Sequence, residues 1–220
     1  MIVPFLNLQF LEIEHEVYIL EDYNNLVDSQ ITHAIEQQKQ KYKEILANKN
    51  DEIDKDIVRG EYWRMVDDVI GRLFRYPSVL MAWSVYERAI HGVALYLKNF
   101  LKKELFPRDI KGSDEFDRYI KYYRYILNFE LFTSDAKEEL NRLRLIRNFI
   151  SHYNGCVELA ENNKLQKIRE IAAVDSRINI NIQYLEVSKE YLDGSVLLVK
   201  NEIINLICRV VKDPSLEKIF

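Results

Sequence analysis

Glycine and proline are scarce in this chain, with six and four among 220 residues. So few breakers predict long, uninterrupted helices. Cysteine is nearly absent as well: Cys156 and Cys208 are the only two, without CxxC spacing. That excludes a disulfide framework, gives no zinc signature and points to a reducing, cytoplasmic setting. No apolar run approaches the roughly 18–20 residues needed to cross a bilayer, so no membrane partner is expected. Met1–Leu6 has no basic region ahead of its apolar residues and does not read as a signal peptide. Surplus positive charge is missing too. The net charge of -4 argues against broad, non-specific nucleic-acid binding, while leaving room for a local basic patch.

What is present is helical patterning, in a chain long enough for a substantial core. From about Leu8 to Asn48 the residues Leu20, Tyr23, Val27, Ile31, Ala34, Ile35, Tyr42 and Ile45 recur every three or four positions. This is one face of a long helix or of two nearly collinear ones. The polar stretch Asn48 to Asp56 reads as a connection. Gly60 to Arg75 reads as a shorter helix, and Pro77 as the opening of the next. In that next helix, Trp83, Tyr86, Ile90, Val93, Leu97 and Leu101 form an apolar seam. A loop with Pro107 and Gly112 leads to a helix over Asp117–Phe129. Thr133-Ser134-Asp135 then offers N-cap chemistry for Ala136–Tyr153, which Asn154-Gly155 stops. A helix over Glu158–Ala173 is predicted next. Ile178, Ile180, Ile182 and Tyr184 alternate with polar residues, the period of a strand or short hairpin near 177–187. Ser188 caps a last helix ending near Val211, with Asp193-Gly194 as a point of interruption. The predicted class is all-α with one short hairpin or edge strand.

Chemistry concentrates at the end of one helix. On a wheel of about 100° per residue, Leu140, Leu143, Ile146, Ile150 and Tyr153 share one face of Ala136–Tyr153, and Leu145 and Phe149 form a second apolar patch. Between them lies a polar wedge of Arg144, Arg147, Asn148, Ser151 and His152. Asn148 and His152 are spaced to touch. A helix apolar on two sides packs against two partners, and a second subunit is the expected occupant of the second patch. Imidazoles titrate near neutrality and serve both general-base and general-acid work, while a guanidinium stays charged and forks two donors onto phosphate oxygens.

Arg147-Asn148 followed by His152 at a helix end, within an all-α chain, resembles the motif of the HEPN superfamily: Arg, four to six residues, then His, often with a polar residue after the Arg. The resemblance covers roughly Pro77 to Val211. It implies an antiparallel helical bundle over 59–220, preceded by a helical extension over 1–58. It also implies a metal-independent, cofactor-free endoribonuclease, a toxin or defence effector whose site forms where two subunits meet. Arg147, Asn148 and His152 would be catalytic, with Ser151 and Arg144 in support. Glu87 is the candidate for the acidic residue that the family often places on an earlier helix. Arg118, Lys121 and Arg124, interleaved with Tyr119, Tyr122, Tyr123 and Tyr125, form a stripe suited to RNA, or else a solvated helix face with its tyrosines half in the core. Some toxins of the family carry a Tyr two residues after the His, which a partner antitoxin modifies; this chain has Asn154 there and Tyr153 one place earlier. The competing classes are a non-catalytic HEPN module that binds nucleotide or RNA, and a helical scaffold without chemistry.

Overall fold

The computed structural model describes residues 8–133 and 135–213. Among them are seven α-helices: α1 (Leu8–Ala47), α2 (Glu52–Arg64), α3 (Gly71–Phe100), α4 (Glu115–Tyr122), α5 (Ala136–Tyr153), α6 (Asn162–Val174) and α7 (Lys189–Val211). Between α6 and α7, strands β1 (Ile178–Ile180) and β2 (Leu185–Val187) pair antiparallel with Asn179 opposite Glu186. The class is all-α with one small hairpin, placed where the apolar alternation predicts it. The expectations resting on Ser134 and on Met1–Leu6 lie outside the described residues.

α1 is a single helix of 40 residues. Its buried positions Phe10, Ile13, Val17, Leu20, Asn24, Val27 and Ile31 alternate in steps of three and four. That 3.5-residue period keeps one narrow seam turned inward. Asn24 is the polar member, and its Nδ2 donates to Asp193 Oδ1 at 2.6 Å. Lys189 Nζ donates to the other oxygen of Asp193 at 3.0 Å and pairs with Asp28 at 3.4 Å. A buried amide is tolerated only with such a partner. With its carboxylate held by two donors, Asp193 does not interrupt α7 at Asp193-Gly194.

Several boundaries differ from expectation: the helix expected over Asp117–Phe129 is α4, followed by a π-helical turn at Tyr123–Leu127 that ends on Asn128 in the left-handed region. The connection after α1 is shorter than Asn48–Asp56, because Asp51 accepts from the Ile53 amide and opens α2 at Glu52. Pro77 opens no helix. The chain stays helical from Glu52 to Phe100, passing through a π-helical turn at Met65–Ile70 and carrying Pro77 inside α3. Pro77 removes the amide that would bond the Leu73 carbonyl. Both residues are exposed, so water reaches that carbonyl, while Tyr76, Ser78 and Val79 are buried and hold the helix together. α6 begins at Asn162 rather than Glu158 because the preceding backbone is already committed. Cys156 bridges to Tyr184, and the Val157 amide donates to Gln183 O at 2.8 Å.

The chain divides into two compact units, the first built from three segments and the second from two. The first comprises Met1–Leu20, Ala82–Asn141 and Leu197–Phe220. Its core is aromatic: Trp83 meets Phe116 edge-on at 5.2 Å and Tyr86 at 5.5 Å, and Phe116 lies 6.0 Å from Phe132. Buried Glu202 accepts there from the Thr133 amide at 3.2 Å and its hydroxyl at 3.1 Å. The second unit comprises Glu21–Met81 and Arg142–Val196. It buries Leu143, Ile146, Phe149 and Ile150 of α5, Ile168 and Ile171 of α6, and Leu185 and Val187 of β2.

Candidate functional site

The polar wedge sits at the C-terminal end of α5, within the second unit. Two consecutive residues in the left-handed region, Asn154 (φ 49°) and Gly155 (φ 67°), end the helix, and the Cys156 amide returns to Tyr153 O at 2.8 Å. Glycine adopts the second of these conformations at no steric cost. Space is also closed there: a Cβ on Gly155 would lie 1.9 Å from the Tyr76 hydroxyl. That hydroxyl donates to Leu185 O at 2.5 Å, and the Leu185 amide donates to Gly155 O at 2.9 Å. α3, β2 and the end of α5 are thereby pinned together three residues beyond His152. Burial, chiefly, pushes the Tyr76 phenol well above its ordinary pKa and keeps it a donor.

Of the wedge residues, Ser151 and His152 are exposed, whereas Arg144, Arg147 and Asn148 are half-buried. Arg147 Nη1 donates to Asn148 Oδ1 at 2.9 Å. The amide oxygen therefore serves the guanidinium, and no hydrogen bond joins Asn148 to His152 among the described residues. The imidazole lies beside Tyr153, ring centroids 6.3 Å apart. The second apolar patch differs from expectation. Phe149 is only 3% exposed within one chain and packs 5.4 Å from Tyr153, so the chain itself covers most of that patch. Helix periodicity identifies an apolar face but cannot say whether the same chain or another covers it.

Glu87 and the basic stripe fall in the first unit. Glu87 is half-buried on α3, close enough to Tyr119 for its charge to oppose ionisation of that phenol. Lys121 is tied to Asp117 at 2.8 Å and to Lys111 O at 3.3 Å. Arg124 forks onto Glu130 at 3.2 and 3.1 Å. Of the interleaved rings, Tyr119, Tyr122 and Tyr123 are buried, and Tyr125 is exposed. The Tyr122 and Tyr123 hydroxyls donate to Leu105 O at 2.8 Å and Ile90 O at 2.6 Å. Sequence reading missed the contact of His91 Nδ1 with the Tyr119 hydroxyl, 2.6 Å across a separation of 28 residues. No local spacing signals such a pair.

Cys156 is half-buried and Cys208 exposed, both as free thiols. Among the described residues no cluster of three or more His, Cys, Asp or Glu is placed to hold a metal ion. No described helix is long and apolar enough to cross a membrane. No protein-family model matches the chain, and neither does any curated protein or solved structure.

Proposed function

We propose that this chain is a metal-independent endoribonuclease of the HEPN type, acting as a homodimeric toxin or defence effector. The observation that carries the reading is the end of α5. There an exposed imidazole, His152, stands five residues, about 1.4 turns, beyond a guanidinium, Arg147, already coupled to an amide. RNA brings its own nucleophile. The 2′-oxygen attacks the adjacent phosphorus, the bond to O5′ breaks, and 2′,3′-cyclic phosphate and 5′-hydroxyl ends result. His152 of one subunit takes the 2′-hydroxyl proton, and its copy on the second subunit returns a proton to O5′. Each chain brings one such imidazole, so two copies supply both roles. Arg147 donates to the non-bridging oxygens as negative charge builds on them, and Asn148 aims the guanidinium. Ser151 and Arg144 complete the polar wedge. The helices are read as that family's antiparallel bundle. Control by a partner antitoxin would have to work without a Tyr at the position of Asn154.

Purified protein should cleave mixed RNA in excess EDTA and leave 2′,3′-cyclic phosphate ends. Arg147→Ala and His152→Ala should each slow cleavage on the order of 10²-fold or more. Equal cleavage by wild type and both variants would identify a contaminating nuclease and overturn the assignment. Absent cleavage with retained RNA binding would leave the non-catalytic module.

A further inference from the structure

A cavity of about 360 Å³ opens in the first unit, away from the α5 wedge in sequence and independent of its reading. Leu95, Phe106 and Pro107 give it apolar walls, and His91, Arg108 and Arg118 give it cationic or donor groups. Tyr119 and Glu115 complete the lining. The charges are unbalanced, two guanidiniums against one carboxylate.

Three other cations of the same unit are paired: Lys121 with Asp117, Arg124 with Glu130, Arg88 with Glu16. Among the described residues the Arg108 and Arg118 side chains have no carboxylate partner; Arg108 only approaches the Phe106 ring, at 5.1 Å. Arg118 is half-buried, and its stem is held by the loop before α4. A Cβ on Gly112 would lie 2.7 Å from Arg118 Cγ. Lys98 Nζ sits 4.1 Å from the Phe106 centroid and helps to fix that ring. Tyr119 stays protonated: burial first, then the charges of Glu115 and Glu87, push its pKa up to about 12. Its hydroxyl lies 2.6 Å from His91 Nδ1, and the two hold each other at the wall of the cavity.

We infer that this cavity binds a small phosphomonoester carrying a flat ring, with a nucleoside monophosphate as the fitting probe. The two guanidiniums match phosphate oxygens in forked geometry, and Phe106 with Leu95 offers the flat part an apolar surface. The volume lies at the small end for ligand pockets, which suits one nucleotide-sized molecule.

Isothermal titration with AMP, GMP, CMP and UMP tests the assignment, beside adenosine and inorganic phosphate. At least one nucleotide should bind, and more tightly than phosphate or the nucleoside. Arg118→Gln and Arg108→Gln should each weaken it on the order of tenfold. Arg64→Gln, an exposed cation on α2, should leave it unchanged. Phe106→Leu should weaken the nucleotide while sparing inorganic phosphate. Thermal unfolding of each variant reports whether the fold is intact, and Arg108, being exposed, serves if Arg118→Gln does not fold. The inference is overturned by no binding of any nucleotide at millimolar concentration, by equal weakening in Arg64→Gln, or by phosphate binding as tightly as every nucleotide.

Discussion

Gly155 answers to two constraints at once, a backbone in the left-handed region and a tyrosine hydroxyl where a Cβ would go. Gly155→Ala adds backbone strain and displaces Tyr76 from Leu185 O. Together these are expected to cost about 3 kcal/mol in urea unfolding. Tyr76→Phe leaves Leu185 O short of a donor and should cost about 1–3 kcal/mol. A Gly155→Ala protein as stable as wild type would mean that the helix end is not pinned in this way. Asn154-Gly155 reads as a helix stop from residue type alone, because both tolerate positive φ. Tyr76 is invisible to that reading, since nothing near position 155 in the chain announces a partner 79 residues earlier. The Arg147-Asn148-His152 spacing is likewise legible, but the turn of the Asn148 amide toward Arg147 rather than His152 is a choice of rotamer that spacing does not fix.

Among the elements, α1, α5 and α7 follow from apolar periodicity, and the hairpin from its change to a period of two. Pro77 misleads because proline is judged by local rules, whereas an exposed position lets the helix continue around it. The late start of α6 is set by bridges to the hairpin, which act at long range. The joint between α6 and β1 also carries a pH response. Buried Asp175 accepts from the Arg177 amide at 3.1 Å and from its Nε and Nη2 at 2.8 Å each. The Arg177 guanidinium holds this carboxyl below its ordinary pKa, with Arg142 adding to the effect. The unfolded chain therefore binds the proton more readily than the folded one. The contribution is fully present above the unfolded pKa and is lost as pH falls through the folded value. Arg177→Gln should cost about 1.5–3 kcal/mol at neutral pH, and the gap to wild type should close in acid. Chemical unfolding at a series of pH values measures this, and a gap independent of pH would refute it.

For the whole molecule, the proposed chemistry needs two imidazoles and hence two chains. The burial of Phe149 means that α5 does not offer a partner an open apolar face. A dimer built on the exposed polar end of the helix should be sensitive to concentration and salt. Equimolar wild type and His152→Ala, mixed and allowed to exchange, should retain about a quarter of wild-type activity rather than a half, since random pairing leaves a quarter of dimers with both imidazoles. Retention of half would place the whole site within one chain.

The exposed thiol of Cys208 on α7 bears on how such a dimer is detected. In air, two chains can couple through it and migrate as a pair on a gel without any native interface, so association must be measured in reductant. The same thiol, more open than Cys156, takes a maleimide dye first. A single dye on α7 turns subunit exchange into a fluorescence signal and gives the mixing experiment its clock.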